Sequence, residues 1–560
     1  MTDAVSDFFH TVCVRLTFSS MRPISQDTRE LINQLSKPVS FWGKASRARV
    51  DAEILSTIGD LGESAAIIDI VPFVLSDTRR IAEAAAAAVH KLTAATAAAD
   101  LAWLDTMWRE RSPYNGAYRL EWHRLSPATL ERLELFGEPS VSLLGMASFH
   151  ESGHVREEAV NRLDSIAGGV ELPFLLIRLN DWVPEVREVA RRSISSRMNS
   201  AYGRSFTTNL ALISRLEQTE RVNHRRLIDA INELLLSAEC RPVLLEALSS
   251  DDRLIRRASF KLAIHSREPA SPEVLRKALS NPDTVVRFWA ARRVSSAFDS
   301  AELDHLLTLM KRDRFMPVRR EALRAYVNRG LEEGRVELRS ALLDTHASMR
   351  EEARYRLQEI DPIEVASFYR QALSAGNEIG LYSAISGLGE TGSSADSHVL
   401  ERYTSHSSAK IRRAAIRALS RLGEEHLSAL VDALSDEVPS VSREALKALS
   451  NRASLLGNEQ LWKIFCAASH RHIKRNALSL LEKVSKWEGI SFMVKALCDA
   501  DEEVANSGRL GIQHWLWRFN RRFSAPTPEQ LAKLGSALEE CGNLLDKKTR
   551  DELRFAMKMV

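Results

Sequence analysis

The chain has 560 residues, with 77 Lys plus Arg against 74 Asp plus Glu and a formal net charge of +3. Hydrophobic residues make up 44% and charged residues 27%, ordinary values that exclude collagen, mucin and wholesale disorder. The near-balance of charge argues against a polyanion-binding coat over the whole surface, while a local basic face stays compatible with it.

Taken from the N-terminus, the first residues are acidic and lack a basic stretch followed by a long apolar run, so no secretory signal is expected. Residues 82–99 are Ala-rich and interrupted by Glu83, His90 and Lys91, which reads as a packed helix. No run of about 20 apolar residues that could span a membrane occurs. The five cysteines, Cys13, Cys240, Cys466, Cys498 and Cys541, are widely spaced and form no CxxC pair. Neither a zinc knuckle nor a disulfide framework is indicated, and a reducing, cytoplasmic setting is expected.

From Val155 onward a pattern recurs: an apolar residue, often Arg next, a small residue four places on, and an apolar residue eight places on. It appears at Val155, Val186, Ile255, Val286, Val318, Met349, Ile379, Ile411, Val441, Ile473 and Val504, and consecutive copies are 30–32 residues apart wherever the period holds. Weaker copies start at Ala48 and Thr78. Positions 0, 4 and 8 share one face of a helix, and a second apolar segment precedes each copy. The turn between carries Asp, Asn or Pro, as in residues 180–185 and 435–440; Asp and Asn there can accept from the free amides that open a helix. Each unit is therefore predicted to be two helices, and one long array replaces the three or four domains that length alone suggests.

These motifs, most fully the segment 410–423 (KIRRAAIRALSRLG), resemble those of HEAT-repeat proteins, in particular the short bacterial HEAT-like repeats related to phycobilisome lyases. The resemblance covers roughly residues 45–516. It implies an all-α fold, a right-handed α-solenoid of helix pairs whose second helices line the concave side. It is nearly silent on function. The organisation expected is helical repeats over 1–100, an insertion at 101–127, the main solenoid over 128–516 and a helical cap over 517–560, with helices at about 528–541 and 547–559.

The period breaks at informative places. Between Thr78 and Val155 lie about 15 residues more than two periods supply. The excess, 101–127, holds Trp103, Trp108 and Trp122, Tyr114 and Tyr118, and Arg109, Arg111, Arg119 and Arg124. Trp and Arg are the residues most enriched at binding hot spots, so Arg109, Arg111, Tyr114, Tyr118, Arg119, Trp122 and Arg124 are candidate partner contacts. The competing reading is that the tryptophans plug an irregular joint. A second break is assigned to a loop over 198–209. The third, QHWLWRFNRRF at 513–523, reads as a terminal cap, with partner or membrane contact as alternatives.

Two patterns look chemical. His150-Glu151-Ser152-Gly153-His154 matches HExxH, which binds zinc when both His share a helix face; here it falls on a repeat turn, and turn chemistry is the expectation, with Glu171 the conceivable third ligand. Arg stands beside the apolar motif residue at 156, 187, 256, 287, 319, 350 and 412, and Lys474 takes the place once. These side chains either face phosphates or form a ladder with turn carboxylates Asp181, Asp252, Asp283, Asp313, Asp344 and Asp436. Second arginines, Arg257, Arg293, Arg320 and Arg413, make a candidate basic concave strip. No phosphate-binding Gly-rich loop and no nucleophile elbow is present, and no cofactor or metal is called for. The expectation is a non-catalytic scaffold that holds a protein partner. The alternatives are a nucleic-acid binder, since some such solenoids resemble alkylpurine DNA glycosylases, and a bilin or cofactor lyase or chaperone. Oligomeric state is not legible.

Overall fold

The computed structural model describes residues 23–35, 44–110, 121–219, 221–265, 271–295, 301–423, 426–484, 486–519 and 524–558. It divides into two compact units, Met1–Leu306 and Leu307–Val560. Every regular element among the described residues is helical. The expected all-α architecture of helix pairs is what each unit contains. In a repeat array each pair buries its face on its neighbours.

In the first unit the pairs include Ser140–Ala147 with Gly153–Asp164, Leu172–Arg178 with Pro184–Ser196, and Arg241–Ala247 with Arg253–His265. In the second they include Leu331–Ala341 with Ala347–Ile360, Leu427–Asp432 with Pro439–Leu449, and Asn458–Ala467 with Arg471–Val484. Proline opens several second helices, at 184, 317 and 439, where its missing N–H costs nothing. The motif face is the buried face: Val155, Ala159 and Leu163, then Val186, Ala190 and Ile194, then Val441, Ala445 and Leu449 are all essentially inaccessible. The small fourth residue allows close helix approach. At Gly387 a Cβ would sit 2.2 Å from the ring of buried Tyr369, so only glycine fits beneath that aromatic.

Three expectations need correction. Ile379 is not a core residue; it is 86% exposed, and its helix begins at Leu381. Gly376 and Gly380 take positive φ (63° and 91°), and the turn they form carries Ile379 outward. Residues 198–209 are not a plain loop: a 3-10 turn at Ser200–Tyr202 leads into the helix Gly203–Thr208. Phe206 and Leu210 are buried there, and that apolar surface is what fixes the segment. Finally, Cys498 and Cys541 form a disulfide, with Cα atoms 5.8 Å apart. It ties the last repeat turn to the end of the helix Pro528–Cys541. That helix and Lys547–Lys558 make the expected closing pair. Among the described residues no helix is long and apolar enough to cross a membrane.

Candidate functional site

The motif arginines are placed by a small set of repeating bonds. The turn Asp first fixes the start of the second helix: Asp181, Asp344 and Asp436 each accept, through Oδ1, from the amide two residues on, at 2.9, 2.7 and 2.8 Å. The arginine six residues after the turn's first carbonyl then reaches back. Arg156 Nη1 donates to the carbonyls of His150 and Glu151, and Arg187, Arg256, Arg287, Arg319 and Arg412 repeat this on their own turns. The remaining nitrogens cross to the next pair. Arg156 grips Asp181 (2.9 and 2.8 Å), Arg319 grips Asp344 (2.8 and 2.7 Å) and Arg412 grips Asp436 (2.7 and 2.9 Å). Lys474 reaches Asp499 at 2.6 Å in the same way. The guanidinium's planar fork suits a task that joins two carbonyls and a carboxylate at once.

Not every rung follows the scheme. Arg350 turns to Glu390 instead, and Asp283 is held by Arg253 and Arg257 rather than by Arg256. The deepest rung branches. Asp181, with no side-chain exposure, also takes Arg178 at 2.8 Å, and Arg178 reaches Asp105 at 2.6 Å. Burial pushes the Asp181 carboxyl upward in pKa; the Arg156 hydrogen bonds, the Arg178 charge and the Val183 amide outweigh that and hold it below the usual range.

The candidate basic strip is met by acids. Arg257 sits on Asp283. Arg413 lies 4.0 Å from Glu444, which Arg417 holds with both oxygens at 2.9 and 2.7 Å. The Arg320 charge acts on Glu352, which also bonds Arg356 at 2.7 Å. Arg293 is half-buried on the helix Thr284–Ser295. At 257 and 413 the guanidiniums thus lie within 4.0 Å of carboxylates of the neighbouring pair.

At the HExxH match, His150 is buried and both ring nitrogens are engaged. Nε2 lies 3.0 Å from the Trp122 carbonyl, and Nδ1 accepts from the Ser152 amide at 3.0 Å. Burial, first of all, lowers its pKa to about 4. Neither nitrogen has a lone pair to offer a metal. Glu171 is no third ligand: it is buried and holds Arg197 and the Gly169 amide, each at 2.8 Å. The turn reading accounts for His150.

Of the candidate contacts in 101–127, Arg111, Tyr114, Tyr118 and Arg119 lie outside the described residues. Arg109 falls on the helix Ala98–Glu110, and Arg124 is exposed. Trp122 is corrected: it is 2% exposed, edge-on to Trp108 at 5.8 Å, and fills the joint rather than presenting an indole outward. Trp103 and Trp108 pack on the same core. Two concave features were not legible in the sequence. A cleft of about 310 Å³ in the first unit is lined largely by small and apolar residues such as Ala97, Val170, Pro173 and Phe174. A smaller cleft, of about 180 Å³, lies in the second unit beside Lys483, Trp515 and Arg518.

Helix pairs in register, cross-linked by turn arginines, define a repeat protein of the α-solenoid class. The family model of HEAT repeats matches residues 397–463. No curated protein matches the sequence. Among solved structures, Kap95p in complex with RanGDP is similar at 11% identity and a TM-score of 0.36, over 82% of this chain and 66% of that one. Kap121p bound to Ste12p is similar at 12% identity and 0.36, over 95% and 57%, and importin beta at 12% and 0.31, over 95% and 84%. This chain thus spans under two thirds of the length of Kap95p and Kap121p.

Proposed function

We propose that the protein is a non-catalytic scaffold of short HEAT-like repeats that holds a protein partner, with the 101–127 segment as a specificity element. The observation that carries this reading is the commitment of the motif arginines to turn carbonyls and, at 156, 319 and 412, to carboxylates of the adjacent pair as well. A phosphate track needs cations free to displace counterions, whereas Arg156, Arg319, Arg350 and Arg412 are held by carboxylates and Arg187, Arg256 and Arg287 are tied to their own turn carbonyls. Repeat arrays instead offer extended surfaces on which a partner can lie. Trp122 anchors one end of the 101–127 segment in the core, and Arg124 emerges beside it. Tyr114, Tyr118 and Arg119 are the side chains assigned to the partner. Replacing these three together by Ala is expected to weaken partner capture by about 2 kcal/mol or more while leaving the melting temperature nearly unchanged. Full retention of the partner would move the contact elsewhere, and a large drop in melting temperature would make the residues structural.

A further inference from the structure

The C-terminal motif helix, Glu502–Arg518, carries a site that the repeat scheme does not use. Along most of the second unit the cations of the motif helices are spent: Arg412 on Asp436, Arg417 on Glu444, Arg471 on Asp501 and Lys474 on Asp499. The last motif helix has Ala505 at the ladder position, so no rung starts there. There, Glu482, Lys483, Lys486, His514, Trp515 and Arg518 line a cleft of about 180 Å³. Three of the six are cationic. Lys486 caps the helix end, its Nζ donating to the Phe519 carbonyl at 2.9 Å. The single acid, Glu482, is engaged by His514 Nδ1 at 2.6 Å. Lys483 and Arg518 are exposed, and neither has a carboxylate partner among the described residues.

The wall between these charges is aromatic and rigid. Trp515 Nε1 donates to the Lys486 carbonyl at 2.7 Å, and its ring packs on Trp487 and Phe519 at 5.3 and 5.0 Å. Trp517, one turn beyond His514, is 62% exposed and stacks on that ring. A fixed indole floor beside unpaired cationic side chains matches a ligand with a carboxylate next to an apolar side chain.

We propose that this cleft binds a short acidic peptide segment, its carboxylates meeting Arg518 and Lys483 and an adjacent apolar side chain lying on Trp515. Charge complementarity selects this occupant. A nucleic-acid strand would need a continued run of free cations for successive phosphates, and the neighbouring rungs are already paired with acids. Two unpaired cations around so small a cleft suit one or two carboxylates. The proposal rests on the scaffold reading only in taking a protein segment as occupant, and its site is separate from residues 101–127.

The test uses the full chain and a fluorescein-labelled octapeptide of alternating glutamate and leucine, read by anisotropy at about 0.15 M salt, where distant charges are screened. Alternating lysine and leucine, and a twelve-nucleotide oligothymidylate, are the comparators. The expected result is saturable binding of the acidic peptide alone, weakened at least about tenfold by Lys483→Glu with Arg518→Glu and unchanged by Lys558→Glu on the last helix. Both reversed residues are exposed, so the melting curve is expected to hold. Absence of peptide binding, binding indifferent to the reversal, or tighter binding of the oligothymidylate would each overturn the proposal. Absence of peptide binding at this cleft with partner capture at Tyr114, Tyr118 and Arg119 intact would overturn the proposal and leave the scaffold reading standing.

Discussion

Asp181 and Asp436 occupy the same place in two repeats, yet their removal should cost very different amounts. Both accept from the amide two residues on, so the cap lost in an Ala variant is common to the two. The guanidinium environments differ. Around Asp181 the side chains of Arg156, Arg178 and Asp181 itself are 0–1% exposed; around Asp436 the pair is 15% and 12% exposed. Asp181→Ala leaves Arg156 buried with only its two turn carbonyls, while Arg178 keeps Asp105. Stranding a buried charge costs about 3–5 kcal/mol. At Asp436 water can approach Arg412, and the loss should be about 1–2 kcal/mol. Hydrogen exchange measured on Pro184–Ser196 and on Pro439–Leu449 resolves the two local stabilities separately. Asp181→Asn, which keeps the shape and the acceptor but not the charge, should recover the smaller part of the loss. Equal costs at the two sites, or a greater cost at Asp436, would refute the argument that burial sets the strength of a rung. The sign with pH follows from the lowered Asp181 pKa: its contribution is complete above the unfolded value of about 3.9 and fades as pH falls through the lower folded one.

His150 should make the first unit acid-sensitive over a higher range. Its folded pKa is about 4 against about 6.5 unfolded, so the unfolded chain takes up the proton first. Stability should fall by up to about 1.4 kcal/mol per pH unit between pH 6.5 and 4; an unchanged slope in His150→Gln would show that the ring is not held neutral. Ala445, fully buried at the small position of its helix, should tolerate no bulk: Ala445→Leu is expected to cost about 1–3 kcal/mol by overpacking, and an unaltered melting curve would mean that the repeat face is misplaced. The Cys498–Cys541 bond closes a separation of 43 residues, so Cys541→Ser should destabilise the C-terminal cap by about 3–4 kcal/mol of loop-closure entropy. Two free thiols titrating at these positions in the oxidised protein would contradict it.

What could be read from the sequence was what depends on near neighbours. Val155, Ala159 and Leu163 mark a buried helix face because a helix repeats every 3.6 residues. That Arg156, Arg319 and Arg412 would meet turn carboxylates was legible because a turn Asp recurs from unit to unit, but which Asp each takes depends on how the neighbouring pair packs. Ile379 was misread because two positive-φ glycines reset the helix start, a backbone effect hidden from an apolar count. Trp122 shows the limit of composition: enrichment in Trp marks contact area, whether with a partner or with the core. The Cys498–Cys541 bond and the Lys483–Arg518 cleft depend on folding distant segments together. In the cleft the signal is a carboxylate that fails to arrive, which no local motif records.

The most direct test places a photo-crosslinking benzoylphenylalanine at Arg124, exposed at the end of the 101–127 segment, and a second at Lys558 as a control, in the full chain expressed in its native host. The scaffold account predicts a discrete protein adduct from position 124, absent from position 558 and lost when Tyr114, Tyr118 and Arg119 are replaced by Ala. Nucleic-acid adducts from position 124 that disappear as salt is raised, or protein adducts equal at both positions, would contradict it.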